Sequence, residues 1–365
     1  MYNSRINTFA LRYLPLLFIF ITVISTIVHY TTTELKSSFS LKNSISIDLI
    51  SILLLIPLLI HCSKKLGKTR ASLLFFTASI FMAGLESLWV ILGKLKILGD
   101  SYDYGVGLIW FFDVPLMIGI GWFLWIYVYY YLVSQVFSKS SLLTKSFLCG
   151  LFGLLTDLWI DPSVVNYHLV NGAETIWEWQ ATTGPVLFTV PVYNYIGWFL
   201  AVFTVVFLFG RIWDIEHKEK IVLRHAVLQL AAGWILYAVI VKILQIVLNT
   251  YLNGIVWFPL NFSEGTFDIL RIAAIIITLG FIPVVFVLLF WRSKKYQNVK
   301  IDLWYFVPYA VMIGFNLTMT LKLQFAFESS YLIFIHLVTM AFPYTVLILY
   351  FKNAGRYVNR SHRLL

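Results

Sequence analysis

The chain has 365 residues, of which 60% are hydrophobic, 18% aromatic and only 12% charged. Soluble domains carry about 25% charged residues, so a water-soluble enzyme is excluded and a polytopic membrane protein is implied. In such a chain the net charge of +10 reflects basic loops held in the cytoplasm, with no nucleic-acid partner expected.

Apolar runs between charge and turn clusters predict about ten transmembrane helices, each near the ~20 residues that cross a hydrocarbon core. In chain order they run from Tyr13 to Tyr30, Ile45 to Cys62, Ala71 to Gly93, Gly107 to Val133 and Leu142 to Ile160. They continue from Val186 to Phe209, Ala226 to Tyr251, Thr266 to Trp291, Ile301 to Leu321 and Ser329 to Phe351. Arg5 and Arg12 precede the first run without a small-residue cleavage site after it, so it is read as a span and not as a signal peptide. The two cysteines, Cys62 and Cys149, lie in apolar runs and suggest no disulfide framework. The expected fold is an all-α helical bundle forming a single domain over residues 1–365.

Charge sorts the loops. With the N-terminus cytoplasmic, 20 Lys and Arg fall on the inner side and five on the outer side, as the positive-inside rule requires. Both termini are then cytoplasmic, and the protein is expected as a multi-pass component of the cell membrane. The longest connection, from Asp161 to Pro185, is outer, contains no Lys or Arg, and carries Trp177, Glu178 and Trp179.

Ionisable groups inside a membrane are costly and therefore informative. Glu86 falls in the outer part of predicted helix three, Asp113 in the first turns of helix four, Asp157 near the outer end of helix five with Asp161 one turn later, and Asn194 in the outer half of helix six. Asp157 and Asp161, spaced i,i+4, share a helix face; the alternative is a helix end at water, stopped by Pro162. Lys242, Gln245 and Asn249 share a face of helix seven and are expected to pair or snorkel. Asp268 and Arg271 read as a local ion pair, and His336 as a packing residue. Among the many aromatics, Trp122, Tyr127, Trp177, Trp179, Tyr193 and Trp198 neighbour the acids in sequence; the alternative for most is an interfacial belt.

The ordered motifs Asp157-Leu-Trp-Ile-Asp161-Pro162, Trp177-Glu-Trp179 and Pro191-Val-Tyr-Asn194-Tyr-Ile-Gly197-Trp198 resemble the carotenoid biosynthesis membrane protein family, which includes carotenoid 1,2-hydratases and bacterioruberin hydratase. Gly84-Leu-Glu86, and Val114-Pro115 followed by Trp122 and Tyr127, agree with it, so the resemblance covers about residues 80–200. The stretch from Gln180 to Val190 departs from the family pattern and bears on substrate more than on chemistry.

The resemblance implies addition of water across the terminal trisubstituted alkene of a polyisoprenoid, a carotenoid or the isoprenoid chain of an archaeal-type lipid. The residues suit such a reaction. A carboxylic acid shielded from water, or set beside another carboxylate, can act as a proton donor at neutral pH, and aromatic faces stabilise a cation by about 2 kcal/mol or more when desolvated. Asp157 or Asp161 is the expected donor, with Glu86 and Asp113 as partner carboxylates and Asn194 orienting water. Trp122, Tyr127, Trp177, Trp179, Tyr193 and Trp198 would surround the hydrocarbon. No cofactor and no metal are expected. The implied partners are the lipophilic substrate, membrane lipids and neighbouring enzymes of isoprenoid synthesis. Two other readings stay open: an intramembrane prenyltransferase, suggested by the Asp-x-x-x-Asp spacing, and a non-enzymatic transporter.

Overall fold

The computed structural model describes residues 2–32, 41–95, 97, 102–165, 176–179, 186–187, 190–218, 223–251, 256–257 and 303–327. Eight helices run through them: α1 Tyr2–Thr32, α2 Leu41–Leu66, α3 Lys68–Lys94, α4 Leu116–Val136, α5 Leu142–Val165, α6 Val192–Lys218, α7 Leu223–Tyr251 and α8 Leu303–Phe327. Six of these, α2 to α7, contain stretches long and apolar enough to cross a membrane, and α1 contributes the shorter apolar stretch Leu16–Thr31. The predicted helices from Thr266 to Trp291 and from Ser329 to Phe351, with Asp268, Arg271 and His336, lie outside the described residues.

The bundle has the surface of a membrane protein. On α1, Leu16, Ile19, Phe20, Val23 and Ile27 are exposed together, and on α7 so are Ile235, Leu236, Ile243 and Ile246. Apolar faces of this extent are not left to water. The inside is equally apolar, built on Leu58, Leu73, Leu74, Met82, Ile120, Phe123 and Tyr127.

Three of the helix boundaries that differ from expectation lie at a proline. Helix four begins at Leu116 and not at Gly107. The residues before it form a tight antiparallel hairpin of β2 (Trp110–Phe111) and β3 (Val114–Pro115), turned through Phe112 at φ 53°. Pro115 has no N–H to give a helix and holds Val114 in extended geometry. Asp113 therefore sits in the hairpin turn, not in a helix. Helix six likewise begins after Pro191, at Val192, with β5 (Val186–Leu187) and β6 (Val190–Pro191) paired ahead of it. At Pro162 the outcome is the reverse: α5 runs through it to Val165. The last turn of α5 is held against α8, where Ser163 and Thr320 hydroxyls are bonded at 3.3 Å, and packed neighbours let a membrane helix keep a proline.

Two arrangements position the site. Gly150, Gly153, Asp157 and Asp161 follow one another at 3, 4 and 4 residues and so lie on one face of α5. A Cβ on Gly150 would come within 2.8 Å of the Phe199 carbonyl oxygen, and one on Gly153 within 2.7 Å of Val202 Cγ2. The glycines thus let α5 and α6 approach closely, as small residues do between membrane helices, and the acids above them reach Asn194. The second arrangement is the pairing of β1 (Tyr102–Tyr104) with β4 (Trp177–Trp179), antiparallel with Tyr102 opposite Trp179 and Tyr104 opposite Trp177. Strand alternation puts these four rings on one face and Asp103 and Glu178 on the other.

Candidate active site

Five elements, α3, α4, α5, α6 and β1, bring the polar groups together at the end of the bundle that carries β1 to β6. On α5, Asp157 is fully buried and Asp161 nearly so, one helical turn apart on the same face. Asn194, in the first turn of α6, donates its two amide hydrogens to both, at 3.0 Å to Asp157 Oδ2 and 2.7 Å to Asp161 Oδ2. From α3, Glu86 faces this pair. It accepts hydrogen bonds from Trp122 Nε1 of α4 at 3.1 Å, from the Tyr104 hydroxyl at 3.2 Å, and from the Tyr102 hydroxyl.

Burial, and next the Glu86 carboxyl beside it, push the pKa of the Tyr104 hydroxyl up, so Tyr104 keeps its proton and remains a donor. Tyr102 and Tyr104 escaped the sequence reading. The signal was present as a Tyr-x-Tyr whose alternation mirrors Trp177-x-Trp179, which only strand pairing makes meaningful.

These groups border a cavity of about 340 Å³, within the usual range for small-molecule sites. Asp161, Glu86 and Asn194 line it; Asp157 stands behind them. Around the acids stand Trp122, Trp177, Trp179 and Trp198, with the Trp122 and Trp198 ring centres 4.4 Å apart. The rest of the wall is mostly apolar, from α2, α4 and α8, and among the described residues no Lys or Arg takes part in the lining. Three lining residues also reach the exterior, Ile50 (44% exposed) on α2 and Val311 (43%) and Phe315 (48%) on α8. They mark a mouth on the apolar flank of the bundle. Gly121 borders the cavity, and a Cβ added there would meet nothing within 4 Å.

Not every candidate joins this group. Asp113 pairs with Lys94 at 3.1 Å and lies 4.0 Å from His29, fastening the β2–β3 hairpin to α3 and α1. Tyr127 is fully buried deeper in the bundle, bonded to His61 Nδ1 at 2.5 Å, and does not line the cavity. Tyr193 lies behind the acids, against Trp89 and Trp179. Lys242 donates to Gln245 Oε1 at 2.9 Å and does not line the cavity. Asp48, unremarked in the sequence because it sits near the start of its helix, accepts the backbone N–H groups of Leu108 and Ile109 at 3.0 and 2.9 Å. It clamps the loop before the hairpin to α2.

The family model described as carotenoid biosynthesis protein matches residues 42–259. The chain belongs to this family. The match takes in α2 through α7, so every acid of the site and the whole Gly150–Gly153 seam fall inside the family region, well beyond the stretch that the motifs alone suggested. It assigns this membrane protein to carotenoid biosynthesis. No curated protein and no solved structure matches the chain.

Proposed function

We propose that the protein is a membrane-embedded hydratase that adds water to the terminal trisubstituted C=C of an acyclic polyisoprenoid. The observation that carries the reading is a mostly apolar cavity whose wall holds Asp161, Glu86 and Asn194. Two carboxyl groups held out of water side by side by one amide are poorly placed to carry two negative charges, so the Asp157–Asp161 pair is suited to hold a proton. Of the two, Asp161 borders the cavity and is the group in position to protonate the alkene, with Asp157 and Asn194 holding it in place. A positioned general acid contributes about 10²–10⁴-fold.

Protonation of the less substituted carbon leaves a tertiary cation among Trp122, Trp177, Trp179 and Trp198, whose ring faces attract it. Water then adds to give a tertiary alcohol. The absence of Lys and Arg among the described lining residues favours a neutral hydrocarbon over a diphosphate. The mouth at Ile50, Val311 and Phe315 admits the chain end from the bilayer while the remainder stays in lipid. In this reading the site occupies the outer half of the cell membrane, both termini face the cytoplasm, and enzymes of carotenoid synthesis supply the substrate. The experiment is incubation of vesicle-reconstituted protein with acyclic carotenoids and with prenyl-chain lipids, followed by mass spectrometry. A gain of one water on either is expected, and no gain on any of them would overturn the proposal.

A further inference from the structure

Behind the acids lies a second chamber of about 30 Å³, less than a tenth of the first. It shares Glu86 and Asn194 with the large cavity, together with rings of Tyr102, Trp122, Trp179 and Trp198, so these residues form a partition between the two. Its far side is made by Tyr193, Gly197 and Tyr237. A volume of ~10–15 Å³ or more with two to four polar partners holds one water, and here the Glu86 carboxyl, the Asn194 amide and the Tyr193 and Tyr237 side chains border the space.

Gly197 supplies an independent clue. On the α5–α6 seam, Gly150 and Gly153 are required by packing, since a Cβ would press on backbone or a branched side chain at under 3 Å. At Gly197 a Cβ would meet only the Tyr237 hydroxyl, at 3.2 Å. The glycine there keeps the chamber open and brings no helices closer.

Resting on the hydratase reading, we propose that this chamber binds the attacking water and delivers it through the partition at Glu86 and Asn194. The alkene π pair takes the proton of Asp161, forming the C–H bond and leaving the Asp161 carboxylate. A lone pair of the chamber water forms the C–O bond to the tertiary cation, and its surplus proton passes to the Glu86 carboxylate. The next water entering the chamber carries that proton back to Asp161. Alkene and water are consumed, one tertiary alcohol is formed, and the acids are restored. Proton donor and water source therefore lie in separate compartments, which protects the acid from bulk water.

A cation that is not captured loses a proton from an adjacent carbon back to the Asp161 carboxylate and regenerates alkene. This makes the proposal measurable. Gly197→Ala and Tyr237→Phe proteins in vesicles are given acyclic carotenoid in D₂O, and both hydration and deuterium in the recovered alkene are followed, with thermal melting as the check on folding. Both variants are expected to melt like the parent and to keep exchange while hydration falls, raising the exchange-to-hydration ratio about tenfold or more, the scale of losing general-base assistance. Unchanged hydration in both variants, or exchange and hydration falling together by one factor, would overturn the chamber's role and leave the hydratase reading standing. A parent protein that neither exchanges nor hydrates would remove that reading, and the chamber with it.

Discussion

Gly153→Ala tests how the seam between α5 and α6 sets the acid geometry. The new Cβ would lie 2.7 Å from Val202 Cγ2 and 3.2 Å from the Trp198 carbonyl oxygen, where carbon atoms normally rest at about 3.5–4.0 Å. Relieving the contact needs about 1 Å of separation between the helices or an equivalent shift of Val202. Overpacking of this kind costs about 1–3 kcal/mol. The same movement draws Asn194 away from Asp157 and Asp161, whose bonds of 3.0 and 2.7 Å have little slack. Misplacement of reacting groups by about 1 Å lowers rates by around 10²-fold. Thermal melting in detergent and water addition to an acyclic carotenoid are the two assays. Adding Val202→Ala removes the offending Cγ2 and is expected to recover most of both losses. A Gly153→Ala protein with parental melting and turnover, or a double variant with no recovery, would refute the argument that glycine packing positions the acids.

Gly121→Leu places a side chain in open cavity space, so we expect a melting temperature near the parent's but loss of most turnover of a long polyisoprenoid, with Gly121→Ala close to the parent in turnover. Asp113→Asn breaks an ion pair whose partners are 24% and 42% exposed. Exposed pairs contribute about 0.2–1 kcal/mol, so it should lower stability slightly and leave turnover within about twofold; a loss of about 10²-fold or more, the scale of removing a general acid, would restore Asp113 to the catalytic set.

Several parts of the site could be read from the amino-acid order because they obey local periodicity. Asp157 and Asp161 share a face through the i,i+4 rule, and Asn194 and Trp198 repeat that spacing on α6. Tyr102 and Tyr104 were not legible, because their role depends on pairing with Trp177 and Trp179, some 75 residues later. Hydropathy ran through Val114-Pro115 and Val190-Pro191 as if they were helix, since apolar residues fill buried hairpins as readily as spans. Pro162 was read as a possible stop because sequence does not reveal the packing of α8 that keeps the turn intact. Tyr127 neighbours the site in sequence but faces His61. Sequence proximity on an all-apolar helix such as α4 cannot say which side faces a cavity, because its hydrophobicity has no preferred face.

The central claim is that Asp161 protonates the substrate, and the most direct measurement compares Asp161→Asn with the parent during incubation with acyclic carotenoid in H₂¹⁸O. The parent should incorporate one ¹⁸O into a tertiary alcohol, and Asp161→Asn, still bordering the cavity but without a carboxylic proton, should lose about 10²-fold or more of that activity. Full ¹⁸O incorporation by a folded Asp161→Asn protein would contradict the account.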